Sequence, residues 1–222
     1  AIFEYAAWLD YYEVHGDYNY ECRVCDANDA SCSGPQILSA ITRDPVGALH
    51  TNLLSKDVQD LYMAVANKVI DNLLESLDNE IALDWLGRSN YMSAIEDVLN
   101  EKGHKILSDK SQELIVKLDK DGLTHDEIFI KLLGIGDKFE ITRMSLIVRN
   151  LVKTPVMVKF YSGTKYGNGL SISEFITKND WKGYFTGSYM KAATYMGGLI
   201  YDTINQVITG AGKVMDWFVH IA

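Results

Sequence analysis

The chain has 222 residues, enough for one large domain or two small ones with a sizeable core. Because 47% of the residues are hydrophobic, a disordered chain is excluded, and the net charge of −9 taken alone argues against a nucleic-acid-binding protein. The sequence shows no signal pattern and no apolar run near about eighteen residues, so we expect a soluble, non-secreted protein with no membrane contact.

The first half of the chain predicts mostly helix. Residues 1–16 favour a helix, and residues 20–29 are compatible with a short strand. Residues 35–54 indicate a short helix, a turn at the central Asp-Pro pair, and then a loop. In residues 55–77 apolar side chains recur every three or four positions, which predicts a long amphipathic helix with Ser55 as its N-cap.

The second half continues this pattern. Residues 81–118 predict two helices and residues 119–127 a polar turn. Residues 139–161 predict one helix, residues 161–169 a glycine-rich loop, and residues 188–221 a long helix with several small side chains. The expected fold class is therefore α+β and predominantly helical.

The charge and the cysteines are both unevenly distributed. Residues 141–222 carry nine Lys and Arg but four Asp and Glu, whereas residues 1–140 carry twelve and twenty-six. Such asymmetry often marks a surface that meets a polyanion, although a solvated charged face has the same composition. Cys22, Cys25 and Cys32 lack a second pair at zinc-finger spacing, so we expect reduced thiols in preference to zinc.

Two stretches contain residues suited to nucleotide chemistry. In RNLVKTPVMVKFYSG, Arg149, Lys153 and Tyr161 are spaced by multiples of four, which places cations and an aromatic hydroxyl about 18 Å apart along one helix face. Phosphates suit the cations and a sugar suits the hydroxyl. In DANDASCSG, Asp29 precedes five small residues, which leaves room for Mg²⁺ and a substrate. Ordinary surface cations and a helix-capping Asp are the competing interpretations.

Together these stretches resemble the single-subunit RNA polymerases of bacteriophages and mitochondria. The first catalytic motif of that family reads D-G-S-C-S-G-x-Q, and this chain has DASCSGPQ beginning at Asp29. The second motif reads R-x3-K-x7-Y-G, and this chain has Arg149, Lys153 and Tyr161 at that spacing. The resemblance extends over nearly the whole chain and is weakest in residues 80–140.

The resemblance implies the palm and fingers portion of a right-hand polymerase. It implies a palm segment with the first motif in residues 1–54, a helical connection in residues 55–140, and fingers with the nucleotide-binding helix in residues 141–222. It also implies the site residues: Asp29 and the carbonyl of Ala30 for two Mg²⁺ ions, Arg149 and Lys153 for the triphosphate, Tyr161 for the sugar and nascent base pair, Tyr166 for stacking on the template base, and Tyr62 and Arg43 nearby.

The residue at position 34 bears on the choice of sugar. Related DNA polymerases have a Glu five residues after the motif Asp, and that Glu fills the space of a ribose 2′-OH. This chain has Gly34 there, which leaves room for the hydroxyl and favours RNA synthesis over a family A DNA polymerase.

Several features depart from the family pattern. Pro155 lies inside the second motif and should kink or restart the helix, and Ser162 replaces the usual Gly, with Gly163 one residue later. The third motif, His-Asp-Ser, has no counterpart after Tyr161, and the His125-Asp126 pair is out of order and reads as a polar turn.

One carboxylate cannot hold two metal ions, so the resemblance implies a fragment or one subunit of a split polymerase. The expected partners are a DNA template, rNTPs, the RNA product and a second polypeptide or continuation with the missing Asp, in the cytoplasm of an infected host cell. We expect this partner to dock near residues 188–222, where Ala192, Gly197 and Gly198 would allow close contact unless they pack within the chain. A non-catalytic remnant or accessory nucleic-acid-binding subunit is the alternative.

Overall fold

The computed structural model describes residues 12–16, 33–135, 137–161, 163–210, 212–214 and 217. Residues 12–15 form one helical turn. The following helices are α1 Ser33–Thr42, α2 Pro45–His50, α3 Leu61–Leu74, α4 Glu80–Trp85, α5 Arg88–Leu99, α6 Asp109–Lys120, α7 His125–Ile135, α8 Lys138–Met144, α9 Arg149–Lys159, α10 Lys165–Lys178 and α11 Tyr189–Val207, with a 3₁₀ turn at Lys182–Tyr184.

The predominantly helical prediction is confirmed, and the described ranges contain no β-strand. The short strand proposed for residues 20–29 lies outside the described residues, so the β component stays a prediction. Within the same ranges, no helix combines the length and apolar character needed to cross a membrane.

The start of α3 is set by a capping carboxylate. Oδ1 of Asp60 accepts hydrogen bonds from the backbone N–H groups of Tyr62 (3.0 Å) and Met63 (3.2 Å). The prediction of a helix from residue 55 with Ser55 as N-cap was therefore wrong, and Val58 is 96% exposed. The apolar repeat extended the predicted helix back beyond the actual first residue of α3, because periodicity does not detect a capping side chain.

Two predicted turns are helix starts. Pro45 opens α2, and the Asp44 carboxylate accepts a hydrogen bond from the N–H of Val46 at 3.1 Å. Proline suits this first helical position because the N–H that it lacks has no partner there. The predicted glycine-rich loop likewise gives way to α10, whose first turn is capped by Thr164 Oγ1 accepting from the N–H of Gly167 at 3.0 Å.

The middle of the chain has more helix ends than predicted. Residues 81–118 contribute to three helices instead of two, and the first break falls at Gly87, whose φ of 91° favours glycine. The predicted turn at 119–127 ends earlier because His125 already begins α7. The single helix predicted at 139–161 is divided into α8 and α9.

The helices pack in two groups. The long helix α11 packs against α10, α3 and α9, while α5, α6 and α7 pack against one another, with α4 contacting α3 and α5. Trp85 links the groups, since its side chain is fully buried and its Nε1 donates a hydrogen bond to the carbonyl of Ala192 at 3.1 Å. Other fully buried side chains of α3 and α11 are Val69, Ile70, Leu73, Met196, Ile200 and Ile204.

The small residues of α11 pack within the chain itself. A Cβ added to Gly197 would lie 2.4 Å from the backbone nitrogen of Gly169 in α10. Ala192 is also buried, at 2% exposure. Of the two expectations, packing within the chain is therefore the one that holds for Gly197 and Ala192, because α10 lies against Gly197 and Trp85 bonds to the Ala192 carbonyl.

We expect Gly197→Ala to lower the free energy of unfolding by about 1–3 kcal/mol, because the two backbones must separate to admit a methyl group. Gly198→Ala is the matched control on the same helix, since no heavy atom lies within 4 Å of its added Cβ. The control should be neutral or more stable by up to about 1 kcal/mol, because alanine has the higher helix propensity. Urea denaturation of both variants measures the difference, and equal midpoints would contradict the close contact.

Candidate nucleotide-binding site

The two cations of the second motif lie at the beginning of a helix. Arg149 is the first residue of α9, after the N-cap Val148, which makes no side-chain capping hydrogen bond. Lys153 follows four residues later and is exposed. The start of a helix presents N–H groups without helical partners and the positive end of the helix dipole, and both attract anions. Because α9 begins at Arg149, the positive end of its helix dipole lies beside the two cationic side chains.

Arg149 is held against the start of α3. Its Nε lies 2.5 Å from Oδ2 of Asp60, and its guanidinium carbon lies 4.8 Å from the centroid of the Tyr62 ring. Tyr62 is 4% exposed, whereas the side chains of Arg149 and Asp60 are 41% and 36% exposed. The structure therefore brings Tyr62 and Arg149 together in a place that solvent reaches.

Asp60 is a residue of this site that the sequence analysis missed. The available signal was its position directly before the apolar run LYMAVANKV, where an Asp is typical of a helix N-cap. Its contact with Arg149 joins residues 89 positions apart, and no local pattern predicts such a pairing.

The far end of α9 is anchored in the core. Lys159 is 2% exposed, and its Nζ lies 3.3 Å from the centroid of the Tyr201 ring on α11. The N–H of Gly163 donates to the carbonyl of Val158 at 2.9 Å and closes the helix end. A Cβ at position 163 would lie 2.6 Å from that carbonyl oxygen, which explains a glycine here. Ser162 lies outside the described residues.

Pro155 does not restart the helix. It is buried within α9, which runs without a break from Arg149 to Lys159. Of the two predicted outcomes, the restart was wrong, because the buried Leu151, Val152 and Val156 pack the helix against its neighbours and offset the one missing hydrogen bond, and the kink stays a prediction. Tyr161 follows the helix instead of lying on it and is 69% exposed.

Gly34 of the first motif lies beside Tyr161 of the second. Gly34 is the second residue of α1, and a Cβ added to it would lie 3.3 Å from Cβ of Phe160 and 3.5 Å from the hydroxyl oxygen of Tyr161. The residue predicted to leave room for a 2′-OH and the tyrosine predicted to face the sugar are therefore neighbours. Arg43 is the next residue after the opposite end of α1.

Other predicted residues are separate from this group or lie outside the description. Asp29, Ala30 and the three cysteines lie outside the described residues. Tyr166 is in the first turn of α10 and is 73% exposed. Asp126 is on α7, whose main packing partners are α5 and α6, so it belongs to the other helix group. In the described part of the chain, no three His, Cys, Asp or Glu side chains cluster as metal ligands.

Comparison with known proteins decides the family. The family model for DNA-dependent RNA polymerase matches residues 1–222. The chain belongs to the phage-type DNA-dependent RNA polymerases. It is 30% identical over 219 residues to the DNA-directed RNA polymerase of Enterobacteria phage T3, 28% over 223 residues to the T7 RNA polymerase of Escherichia phage T7, and 28% over 218 residues to the enzyme of Enterobacteria phage K11.

Each alignment covers 97% of this polymerase-family chain but 20–21% of the relative, so the chain spans about a fifth of the length of the curated relatives that it matches. No solved structure matches. The resemblance seen in the sequence is confirmed at the level of the family, and the contacts of Gly34 and Arg149 lie within the matched polymerase region.

Proposed function

We propose that this chain takes part in template-directed RNA synthesis, in which nucleotides from rNTPs are joined on a DNA template. The observation that carries the proposal is that Gly34 of the first motif lies beside Tyr161 of the second, whose hydroxyl oxygen would be 3.5 Å from a Cβ at position 34. In this proposal residues 1–54 form the palm segment, residues 55–140 the connection and residues 141–222 the fingers, and the chain acts in the cytoplasm of an infected host cell.

The triphosphate would bind at the start of α9. Arg149 can make two parallel hydrogen bonds to phosphate oxygens, and Lys153 acts as a point charge one turn later. The exposed start of the helix adds N–H donors and the positive end of the dipole. These groups would neutralise the charge that develops on the leaving pyrophosphate.

The sugar would bind between α1 and the turn after α9. Gly34 has no side chain to fill the space of a 2′-OH, and the neighbouring Tyr161 hydroxyl can sense that group directly or through water. The exposed Tyr166 in the first turn of α10 is suited to stacking on a template base.

The metal ions would be held by oxygen donors of the first motif. The carboxylate of Asp29 and the carbonyl oxygen of Ala30 are donors that Mg²⁺ prefers, and bound Mg²⁺ supplies charge neutralisation at the reacting phosphate. These two residues fit one ion by the chemistry of their donors, whereas a two-ion site needs a second carboxylate. Since the family's third motif, His-Asp-Ser, supplies that carboxylate and has no counterpart after Tyr161, we propose that a complementing polypeptide or continuation provides it.

Reconstitution tests this proposal. We expect no template-dependent RNA synthesis from the 222-residue chain alone, and synthesis when the complementing polypeptide is added. The matched control is the same polypeptide with the Asp of its His-Asp-Ser motif replaced by Asn. Robust synthesis by the chain alone, abolished by Asp126→Ala, would instead make Asp126 the second ligand. Nucleic-acid binding by the complete assembly without any synthesis would favour an accessory binding subunit.

A further inference from the structure

The carboxylate of Asp60 is shared between two separate tasks. Its Oδ1 accepts hydrogen bonds from the N–H groups of Tyr62 and Met63 at the start of α3. Its Oδ2 lies 2.5 Å from Nε of Arg149. The capping contacts fix the carboxylate to rigid backbone, so it can fix the direction of a flexible arginine in turn.

A second contact restricts the same guanidinium. It lies over the buried ring of Tyr62, 4.8 Å from the ring centroid. An ion pair on one edge and an aromatic ring against one face together define the plane of the group. Bidentate phosphate binding depends on that plane, because the paired N–H groups must point at the oxygens.

The exposure of the pair argues against stability as its main effect. The Arg149 and Asp60 side chains are 41% and 36% exposed, and ion pairs this exposed contribute little to folding because water and salt screen them. The same exposure leaves the guanidinium within reach of a ligand from solvent. Orienting a binding group in advance lowers the entropy lost when the ligand binds.

We propose that Asp60 is a positioning residue that orients Arg149 for the triphosphate of the incoming nucleotide. The inference rests on the proposed function, in which Arg149 contacts that triphosphate. Asp60 touches neither the nucleotide nor the metal ions in this arrangement, and it acts through Arg149.

Asp60→Asn separates the two tasks of the carboxylate. Asn caps helices about as well as Asp, so α3 should keep its start and the melting temperature should not change. The amide that replaces Oδ2 faces Nε of Arg149 with a donor instead of an acceptor, so the contact of residue 60 with the guanidinium is lost. Asp137→Asn is the matched control, because Asp137 caps α8 through the N–H of Phe139 at 3.1 Å in the same manner.

Titration calorimetry of the 222-residue chain with ATP, inorganic tripolyphosphate and adenosine provides the readout. We expect Asp60→Asn to weaken ATP and tripolyphosphate binding by about fivefold to tenfold, an effect within the range of one ordinary hydrogen bond, and to leave adenosine binding unchanged. In the reconstituted polymerase kcat/KM for rNTPs should fall by at least the same factor, because Arg149 also faces the charge that develops on the leaving pyrophosphate.

Arg149→Gln distinguishes failure of this inference from failure of the proposed function. If Asp60 acts through Arg149, Asp60→Asn should have little further effect in an Arg149→Gln background. Weaker tripolyphosphate binding in Arg149→Gln but normal binding in Asp60→Asn would overturn the positioning role alone. Unchanged binding in Arg149→Gln, or no binding by the unaltered chain, would overturn the triphosphate site and the positioning role with it.

Discussion

Asp29→Ala should slow nucleotide addition by the reconstituted polymerase at least about 100-fold, without unfolding the chain. Loss of one preorganised electrostatic group at a reaction centre has an effect of this order, and a metal ligand should matter at least as much. Asp29 is followed by small residues and fits the first position of the family motif, and in the proposed function its carboxylate binds Mg²⁺.

Single-turnover primer extension with Mg²⁺ measures this rate, and circular dichroism checks the fold. Asp126→Ala is the matched control, because Asp126 is exposed on α7 in the other helix group. The control should retain the normal rate. Near-normal extension by the Asp29 variant would show that Asp29 is not a ligand of the catalytic metal ions.

The second large effect concerns sugar selection. Gly34→Glu should lower the ratio of rNTP to dNTP incorporation on the order of 100-fold, because the new side chain starts 3.3 Å from Phe160 and 3.5 Å from the Tyr161 hydroxyl and fills the space next to it. Tyr161→Phe should lower the ratio by about tenfold through loss of a hydroxyl that can sense the 2′-OH.

Competition between rNTPs and dNTPs on one template gives both ratios. Gly134→Glu controls for the added charge, since Gly134 is exposed on α7 and its added Cβ meets no heavy atom within 4 Å. Equal ratios in the Gly34 variant and this control would show that the sugar is selected elsewhere in the enzyme.

Helix identity was easier to predict from the sequence than helix ends. Apolar periodicity correctly indicated α3 and α11, because a packed face imposes its repeat on the sequence. It extended α3 back to residue 55 and merged α8 with α9, because a cap or a chain reversal depends on single polar side chains and tertiary contacts. The break between α8 and α9 matters most at Arg149, because it makes this residue the first of a helix.

In the candidate site, too, the sequence indicated the motif residues but not their positions relative to one another. The spacing of Arg149, Lys153 and Tyr161 identified the second motif, but Tyr161 lies beyond the helix that the spacing implied. The resemblance assigned Gly34 and Tyr161 to the same sugar, but local patterns predicted neither the distance between them nor the pairing of Asp60 with Arg149, since both join segments separated by many residues. Such contacts follow from how α1, α3 and α9 pack, and periodicity contains no information about that packing.

The close approach of Gly169 and Gly197 has a mechanical consequence. With a Cβ position at 197 only 2.4 Å from the Gly169 nitrogen, neither helix can slide along the other without a backbone collision. The ion pair of Lys165 with Asp202, at 2.7 Å, ties the same two helices near the first turn of α10. The two helices are therefore expected to move together, so that in the proposed function a template base that displaced Tyr166 would displace α11 as well.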